Sequence, residues 1–473
     1  MIKEKLNTGQ KALQINLDAK KYGTFAEIGA GQEVARWFFS VGKASGTVAK
    51  TISAYDMAVS DAIYGQAARY VSRQRLQAML DLEFNLLVER LDKTRGDKCT
   101  FFAFADTVTT KHISKPGDEG GHGWLGVKFQ TVPQAEPSQI IIHARMLDWE
   151  TPRQQEAFGL LGVNLIHGAF YQNADPITLI GSLLDSLTNQ RVEVDMIKMS
   201  GPAFYRVDNR LMALQLVEQW LTEAALFTAS GDTVIPSELL YKKPVLLERG
   251  SFRPLTNPML DMMERAHEMF LKEPALGGEE PVAMFEMTLR QLKVGDAIDH
   301  RDFLDRVDTL CALGKPVLIS NFLRYHRLVT YLSRHTQKPI GLPIGLVRLR
   351  DVLDEKFYTD LPGGLMESLG QLFKNGAKLY VYPSLDKKNG QLTTVQNLNI
   401  APHLKNLYQH LVDNQFIVDI TGYSAESLKI YSGEVLAKIH SGDESVAQFV
   451  PPAIVEVIKQ KKLFGWGKDA PKK

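Results

Sequence analysis

The chain has 473 residues, more than the roughly 250 to 300 at which a single hydrophobic core stops growing, so two domains are expected. Apolar residues make up 44% and charged residues 23%, a globular composition that argues against a disordered or fibrous protein. The 55 basic and 54 acidic side chains balance, which argues against the broad positive field that attracts nucleic acid or anionic membrane.

The amino terminus and the cysteines bear on where the protein resides. The first ten residues, MIKEKLNTGQ, are polar and lack the apolar core of a secretory signal. Apolar runs such as 99–105 are far shorter than the roughly 18 to 20 residues that span a bilayer. Cys99 and Cys311 are too few for a disulfide framework and are typical of a reducing compartment. We therefore expect a cytoplasmic protein without a membrane span.

Short apolar strands are mixed with amphipathic helices through the first half. The strands are predicted at 12–17, 24–28, 100–105, 124–129, 139–146, 192–199 and 224–229. Helices, in which apolar residues recur at three- and four-residue steps, are predicted at 32–40, 72–91, 153–171, 176–187 and 211–221. This mixture predicts an α/β fold.

The second half alternates more regularly. Strands are predicted at 244–248, 282–287, 316–320, 340–346, 378–382 and 416–420, and helices at 257–271, 302–313, 324–335 and 365–374. Continuous apolar strands that alternate with helices predict a doubly wound, mostly parallel sheet. The stretch 230–243 carries Gly231 and Pro236, which places a domain boundary near residue 240. We expect domains at 1–240, of unknown role, and 241–460, with a basic, flexible tail at 461–473.

A glycine-containing turn follows strand 244–248. Residues 250–259 read GSFRPLTNPM and lead directly into a helix. They resemble the first signature of the nucleotidylyltransferase superfamily, which includes nicotinate-nucleotide adenylyltransferase. In that signature a tight turn brings backbone close to phosphate at a helix N-terminus, and imidazoles stabilise the reacting phosphoryl group. The resemblance implies nucleotide contacts from Gly250, Ser251, Arg253 and Thr256.

A second match lies near the end of the chain. Residues 431–442 read YSGEVLAKIHSG and 450–458 read VPPAIVEVI. They are similar to the closing signature of the same superfamily, which is Ile-Ser-Gly-Thr, two residues and Arg, followed by a helix, a Gly and a terminal helix bearing Pro. This resemblance adds Ser432 and Gly433 to the implied nucleotide site.

The departures from both signatures bear on catalysis. Arg253 stands in place of Asp, Met259 in place of the second His, and Ala437 in place of the phosphate-binding Arg. Loss of one such donor typically raises the barrier by about 2.7 to 4 kcal/mol. We therefore expect little or no adenylyl transfer and assign no catalytic residue. If activity remains, ATP with Mg2+ is the expected cosubstrate.

Two further segments resemble a bacterial family as a whole. They are 23–36, GTFAEIGAGQEVAR, and 372–383, LFKNGAKLYVYP. Members of this family are described as nicotinate-nucleotide or nicotinamide mononucleotide adenylyltransferases. The resemblance implies a nucleotide- or phosphate-binding protein of nucleotidylyltransferase type. The alternative is a non-enzymatic assembly or scaffold protein that inherited the fold. In that case the first half would supply the surface that binds partners, and the protein would form homo-oligomers.

A glycine turn in the first half offers a weaker site. Glu27, Gly29 and Gly31 follow a strand and precede a helix, as in loops that bind a dinucleotide or a methyl donor. The third glycine of the fingerprint is absent, and Asp56 is the acid nearest the expected ribose position. A plain strand-to-helix turn is the competing interpretation.

Other polar residues have less specific patterns. His112, His122 and His143, with Asp106 and Asp148, lack the spacing of metal ligands, so no metal site is predicted. Asp106, Asp148 and Arg145 lie near predicted strand ends, where either ligands or structural caps are found. The segment 324–327, RYHR, begins a helix after strand 316–320 and could meet phosphate at that sheet edge or simply form a charged helix surface.

Overall fold

The computed structural model describes residues 5–110, 120–295, 297–386 and 389–468. The chain forms two compact units, Met1–Glu223 and Ala224–Lys473. Among the described residues, no helix combines the length and the apolar character needed to cross a bilayer.

The first unit is a six-stranded mixed sheet with helices. Its helices are α1 (Thr8–Leu17), α2 (Val34–Ser40), α3 (Met57–Tyr64), α4 (Arg73–Leu91), α5 (Thr151–Tyr171), α6 (Pro176–Ser182) and α7 (Asn209–Glu218). Its strands are β1 (Lys21–Gly29), β2 (Val48–Ala54), β3 (Thr100–Thr109), β4 (Gly121–Phe129), β5 (Ser138–Met146) and β6 (Val192–Ser200). The strand order is β2-β1-β3-β4-β5-β6. β1 runs parallel to β2 and β3, and the remaining pairs are antiparallel.

One predicted strand of this unit is wrong. Residues 12–17 belong to helix α1, which begins with a reciprocal cap. The Asn7 side chain accepts a hydrogen bond from the Gln10 amide, and the Gln10 side chain accepts one from the Asn7 amide. This capping box satisfies two amides that would otherwise lack a partner, which favours the helix over an isolated apolar strand.

The second unit contains the larger sheet. Its helices are α8 (Pro236–Leu240), α9 (Asn257–Phe270), α10 (Leu289–Leu292), α11 (His300–Cys311), α12 (Tyr325–His335), α13 (Leu346–Leu353), α14 (Gly364–Leu372), α15 (Lys405–Asp413), α16 (Ser432–Ser441) and α17 (Pro452–Lys461). Its strands are β7 (Ala224–Phe227), β8 (Thr233–Val234), β9 (Val245–Arg249), β10 (Val282–Thr288), β11 (Lys293–Val294), β12 (Ala297–Ile298), β13 (Val317–Ser320), β14 (Ile340–Gly345), β15 (Lys378–Tyr382), β16 (Ser384–Leu385), β17 (Leu392–Thr393) and β18 (Ile417–Asp419).

The topology of this sheet confirms the predicted doubly wound fold. The strand order is β18-β15-β14-β9-β10-β13-β7-β8, in which β18 through β13 are parallel and β7 and β8 form an antiparallel edge. In chain order the chain winds outward from β9 through β10 to β13 and then crosses back to β14 on the other side of β9. Sheets of this order bind ligands where the winding reverses, outside the carboxyl ends of the strands.

Both ends of the predicted second domain differ from the structure. The sequence places the boundary near residue 240, whereas the two units divide between Glu223 and Ala224, because β7 pairs with β13 of the second sheet. Part of the expected flexible tail is packed, since Leu463 and Phe464 are buried. The Phe464 amide donates a hydrogen bond to Asp305. Residues 469–473 of the predicted tail lie outside the described residues.

We predict that a fragment beginning at residue 224 is more stable than one beginning at residue 244. The shorter fragment lacks β7, in which Leu226 and Phe227 are almost fully buried. Burial of two such side chains contributes about 3 kcal/mol or more. Urea unfolding followed by circular dichroism measures the difference. Equal unfolding midpoints for the two fragments would show that β7 is dispensable to this unit.

Candidate ligand-binding site at the carboxyl edge of the second sheet

A cavity of about 490 Å³ lies at the carboxyl ends of β9, β10, β13 and β14. Each of these strands, or the segment that follows it, contributes to the wall. The polar lining residues are Arg249, Thr288, Arg290, Gln291, Arg324, Arg348 and Asp351, and the apolar and aromatic ones are Leu323, Tyr325, Val352, Phe357 and Tyr358. We call this space the carboxyl-edge cavity. It lies beside β9, at the place where the winding of the sheet reverses.

A buried ion pair forms the inner wall of the cavity. The Arg249 guanidinium donates through Nε to Glu286 Oε2 at 2.7 Å and through Nη2 to Oε1 at 2.8 Å. Ser320 Oγ donates to the same Oε1 at 2.5 Å. Because both side chains of the pair are buried, the two charges depend on each other for compensation. The guanidinium is therefore held in one orientation by two parallel hydrogen bonds.

Tyr325 is the second feature of the inner wall. Its ring lies against the Arg249 guanidinium, with 4.6 Å between Cζ and the ring centroid. The residue is only 7% exposed, and its hydroxyl has no hydrogen-bond partner among the described residues. Burial raises the pKa of Tyr325 to about 12, so the hydroxyl keeps its proton at neutral pH. It is thus a buried hydroxyl, able to donate or accept, for which the described residues supply no partner.

Three more arginines lie toward the outside of the cavity. Arg324 binds Asp360 at 2.6 Å and lies over the Tyr358 ring, Arg348 binds Asp351 at 3.1 Å, and Arg290 is exposed. The first turns of α12 and α13, which begin beside this wall, carry no acidic residue. The positive ends of the two helix dipoles add to the arginine charge, so this edge favours an anion.

The glycine loop, residues 250–256, leaves the sheet at the same edge. The Gly250 amide donates to the Glu286 carbonyl at 3.0 Å. Arg253 Nε binds Asp302 Oδ1 at 2.5 Å, and Arg306, which also binds Asp302, donates to the Ser251 carbonyl at 3.0 Å. The guanidinium of Arg253, which replaces the signature's Asp, is therefore engaged within the chain.

The N-terminus of α9 is engaged as well. The Asn257 amide donates to the Phe449 carbonyl at 2.9 Å, Pro258 has no amide hydrogen, and the Met259 and Leu260 amides donate to the Thr256 carbonyl at 3.0 and 3.1 Å. The Thr256 hydroxyl is buried and has no partner among the described residues.

The second signature reaches the first through the segment that follows it. Ser432 and Gly433 begin α16, and α17 follows with Pro452 in its first turn, as the resemblance implies. The contact with the start of α9 is made further along, because Gln448 and Phe449 accept hydrogen bonds from Asn257. Nucleotide binding by Gly250, Ser251, Arg253, Thr256, Ser432 and Gly433 stays a prediction.

The weaker candidates in the first unit have local structural roles. The Glu27 carboxylate accepts hydrogen bonds from the Val34 and Ala35 amides, at 2.9 and 3.2 Å, and so caps α2. Gly29 has φ +78, and a Cβ there would lie 2.3 Å from the Val108 carbonyl oxygen. A Cβ at Gly31 would lie 2.5 Å from Asp106 Oδ1. Close packing on β3 thus accounts for both glycines, as in a plain strand-to-helix turn.

Glu27 and Asp106 form a buried acidic pair. They lie side by side in the parallel register of β1 and β3. Burial raises the pKa of Glu27 to about 7. Burial, and then the charge of Glu27, raise the pKa of Asp106 well above its ordinary value. Neither Asp106 oxygen makes a hydrogen bond of good geometry with a described residue.

The other polar candidates do not meet at one site, because they form separate ion pairs and hydrogen bonds. Arg145 binds Glu193 at 2.9 Å, and Asp148 accepts from Arg191 at 2.7 Å. His122, His143 and Asp195 form a hydrogen-bonded chain, with 3.1 Å between the histidines and 2.6 Å from His143 to Asp195. His112 lies outside the described residues. Within the described ranges, no group of three His, Cys, Asp or Glu residues is arranged to hold a metal. Asp56 caps α3.

The segment 324–327 lies partly at the carboxyl-edge cavity. Arg324 and Tyr325 line it, whereas His326 is buried against Ser368 at 3.0 Å and Arg327 is exposed. Burial lowers the pKa of His326 to about 4. Arg249, Arg290 and Arg348 were not predicted. Arg249 immediately follows the predicted strand 244–248, and this position at a strand end is the feature of the sequence that could have pointed to it as a site residue.

Comparisons with known proteins give only remote likenesses. No protein-family model matches the chain. No curated protein matches it either. The solved structure of the competence/damage-inducible protein CihA from Agrobacterium tumefaciens is 17% identical, covers 34% of this chain and 97% of its own, and has a TM-score of 0.25. A CinA superfamily protein from Klebsiella pneumoniae is 12% identical over 34% and 96% of the two chains, with a TM-score of 0.26.

A third solved structure is the nicotinic acid mononucleotide adenylyltransferase of Plasmodium falciparum. It is 10% identical, covers 47% of this chain and 98% of its own, and has a TM-score of 0.29. At TM-scores this low, none of the three likenesses supports a function. The topology of the chain itself defines a two-unit α/β protein, with an arginine-rich cavity at the carboxyl edge of its doubly wound sheet.

We predict that Asp106→Asn stabilises the protein at high pH. A raised carboxyl pKa means that the folded state holds a proton that the unfolded chain has released, so stability falls as pH rises above the ordinary pKa. For Glu27 that loss runs from about pH 4.5 to about 7. Removing Asp106 should raise the free energy of unfolding at pH 8, where the unfolded chain has released this proton, and should change it little at pH 4.

Urea unfolding of the full chain at both pH values measures this effect. Asp97→Asn, at an exposed aspartate, is the matched control and should change stability little at either pH. A destabilised Asp106→Asn variant at pH 8 would show that the buried carboxylate is compensated.

Proposed function

We propose that the second unit binds a mononucleotide in the carboxyl-edge cavity, as a protein of nucleotidylyltransferase type that lacks adenylyl transfer at an enzymatic rate. The observation that carries the proposal is the grouping of four arginines and three aromatic side chains where the winding of the sheet reverses. The proposal also draws on the two sequence signatures, although the cavity lies beside the glycine loop.

The lining suits a phosphate joined to a planar ring. Guanidinium groups bind phosphate oxygens bidentately, and aromatic side chains pack against planar bases. The cavity volume of about 490 Å³ lies within the usual range of small-molecule sites. Asp351 and Asp360 offset part of the arginine charge, which suits a mononucleotide better than a triphosphate.

The expected reaction has lost the groups that stabilise its transition state. Met259 and Ala437 occupy signature positions and offer no hydrogen-bond donor from their side chains. Arg253, which stands where the first signature has Asp, is bound to Asp302. Mg2+ is usually held by one or two carboxylates together with substrate phosphates. Asp351 is the carboxylate among the described lining residues, and it is paired with Arg348, so this cavity fits ATP with Mg2+ poorly.

We predict that Arg324→Gln weakens the binding of UMP and AMP by roughly tenfold or more, because a charge-assisted hydrogen bond contributes about 1.5 to 3 kcal/mol. Isothermal titration calorimetry of the full chain measures the affinities. Arg327→Gln, three residues along the same helix and exposed, is the matched control and should bind like the parent.

The Arg253→Ala variant distinguishes nucleotide binding in the cavity from nucleotide binding over the glycine loop. Because Arg253 is bound to Asp302, its removal should leave UMP affinity within about twofold of the parent. If Arg253→Ala abolished binding while Arg324→Gln had no effect, the nucleotide would lie over the glycine loop instead. If neither nucleotide bound, the proposal would fail and the assembly function would remain as the alternative.

We predict that adenylyl transfer from ATP to nicotinate or nicotinamide mononucleotide is undetectable. Release of pyrophosphate and formation of the dinucleotide are measured together by a coupled assay and by chromatography. A turnover number of order 1 per second, within the usual range of enzymes, would contradict the proposal.

A further inference from the structure

We infer that Asp351 accepts hydrogen bonds from the sugar of the bound nucleotide, so that the carboxyl-edge cavity selects ribonucleotides over 2′-deoxyribonucleotides. This inference rests on the proposed binding of a mononucleotide. It names the class of sugar that the site accepts and assigns that selectivity to one side chain.

Asp351 offers the ligand an accessible acceptor in a wall that is otherwise rich in donors. The four lining arginines can only donate hydrogen bonds, whereas an ionised carboxylate can only accept them. The Asp351 side chain is 44% exposed, so its carboxylate can be reached from the cavity that it lines. Its contact within the chain is a single hydrogen bond, from Arg348 Nη1 to Oδ2 at 3.1 Å. A carboxylate has about four lone-pair positions, so most of its capacity to accept remains for a ligand.

The stability of the helix does not account for an acidic residue at this position. Asp351 lies in the last turn of α13, which ends at Leu353. The carboxyl end of a helix carries partial negative charge and favours basic side chains. Arg348, one turn earlier, offsets part of the repulsion, but exposed ion pairs of this kind contribute little to stability. A ligand that donates hydrogen bonds would compensate the charge that the helix does not.

A ribonucleotide carries the groups that match this wall. Its phosphate only accepts hydrogen bonds and is repelled by a carboxylate, so it pairs with the arginines. The 2′ and 3′ hydroxyls of the sugar can donate, and the sugar adjoins the phosphate as Asp351 adjoins Arg348. With the phosphate at Arg324 or Arg348, the hydroxyls therefore meet the Asp351 carboxylate. A 2′-deoxynucleotide has the same phosphate and base but lacks one of these two donors.

Two matched pairs of probes isolate this donor. UMP and dUMP form one pair, AMP and dAMP form the other, and the members of each pair differ in the 2′ hydroxyl. We expect the ribonucleotide of each pair to bind about five- to tenfold more tightly, because a hydrogen bond to a charged group is among the stronger ones. A base N–H that donated to Asp351 would be the same in both members of a pair and would produce no such preference.

Asp351→Ala tests the assignment, and Asp360→Ala is its matched control. Each aspartate is about half exposed and binds one arginine of the cavity, but Asp351 is a lining residue and Asp360 is not. Either substitution releases an arginine, which affects both members of a probe pair alike, so the ratio of their affinities reports on the sugar alone. We expect this ratio to fall below about twofold in Asp351→Ala and to persist in Asp360→Ala. The thermal unfolding midpoint of Asp351→Ala should be unchanged or slightly raised.

The experiment is calorimetric titration of the full chain with UMP, dUMP, AMP and dAMP, for the parent, Asp351→Ala, Asp360→Ala and Arg324→Gln. If the two members of each pair bind the parent equally and binding still depends on Arg324, the inference is overturned and the proposed function stands. A preference for the ribonucleotide that survives Asp351→Ala, or that also disappears in Asp360→Ala, likewise overturns the inference alone. If no nucleotide binds, or binding is insensitive to Arg324, both fail.

Discussion

The buried pair of Arg249 and Glu286 connects the strands that meet where the second sheet reverses its winding. The two residues face each other in the parallel register of β9 and β10, and Ser320 at the end of β13 donates to the same carboxylate. Removing one partner of such a pair typically costs about 3 to 5 kcal/mol, since it leaves a buried charge uncompensated. The pair therefore stabilises the strand ends and presents a guanidinium in a fixed orientation to the cavity.

The position of this pair explains why the adjoining space suits a ligand. β14 lies in the sheet on the other side of β9, and the chain continues from it directly into α13, whereas β13 is followed by α12. These two helices bring Arg348 and Arg324 to the same edge. Tyr325 covers one face of Arg249 but leaves its own hydroxyl unpaired.

The alternation of apolar strands with helices predicted the second sheet well. The apolar segments that the local sequence marks as strands are the same segments that pair with one another in the folded sheet. The pattern failed at 12–17, where the helix that begins with a capping box runs through the segment ALQINL. At the site, strand ends pointed to Arg324 and Tyr325. The positions of strand ends could not show that the Phe449 carbonyl, nearly two hundred positions away, accepts a hydrogen bond from the Asn257 amide. They also could not show that Asp302 binds Arg253. The sequence did not point to Arg348, because α13 follows β14 with no loop between them and the strand end is therefore not marked in the sequence.

The central claim is that a mononucleotide binds in the carboxyl-edge cavity, and a crystal structure of the full chain grown with UMP tests it most directly. The account predicts UMP inside this cavity, with its phosphate within hydrogen-bonding distance of Arg324 or Arg348. UMP seated over the glycine loop or at Gly29 to Gly31, or a cavity that stays empty at a saturating UMP concentration, would contradict it.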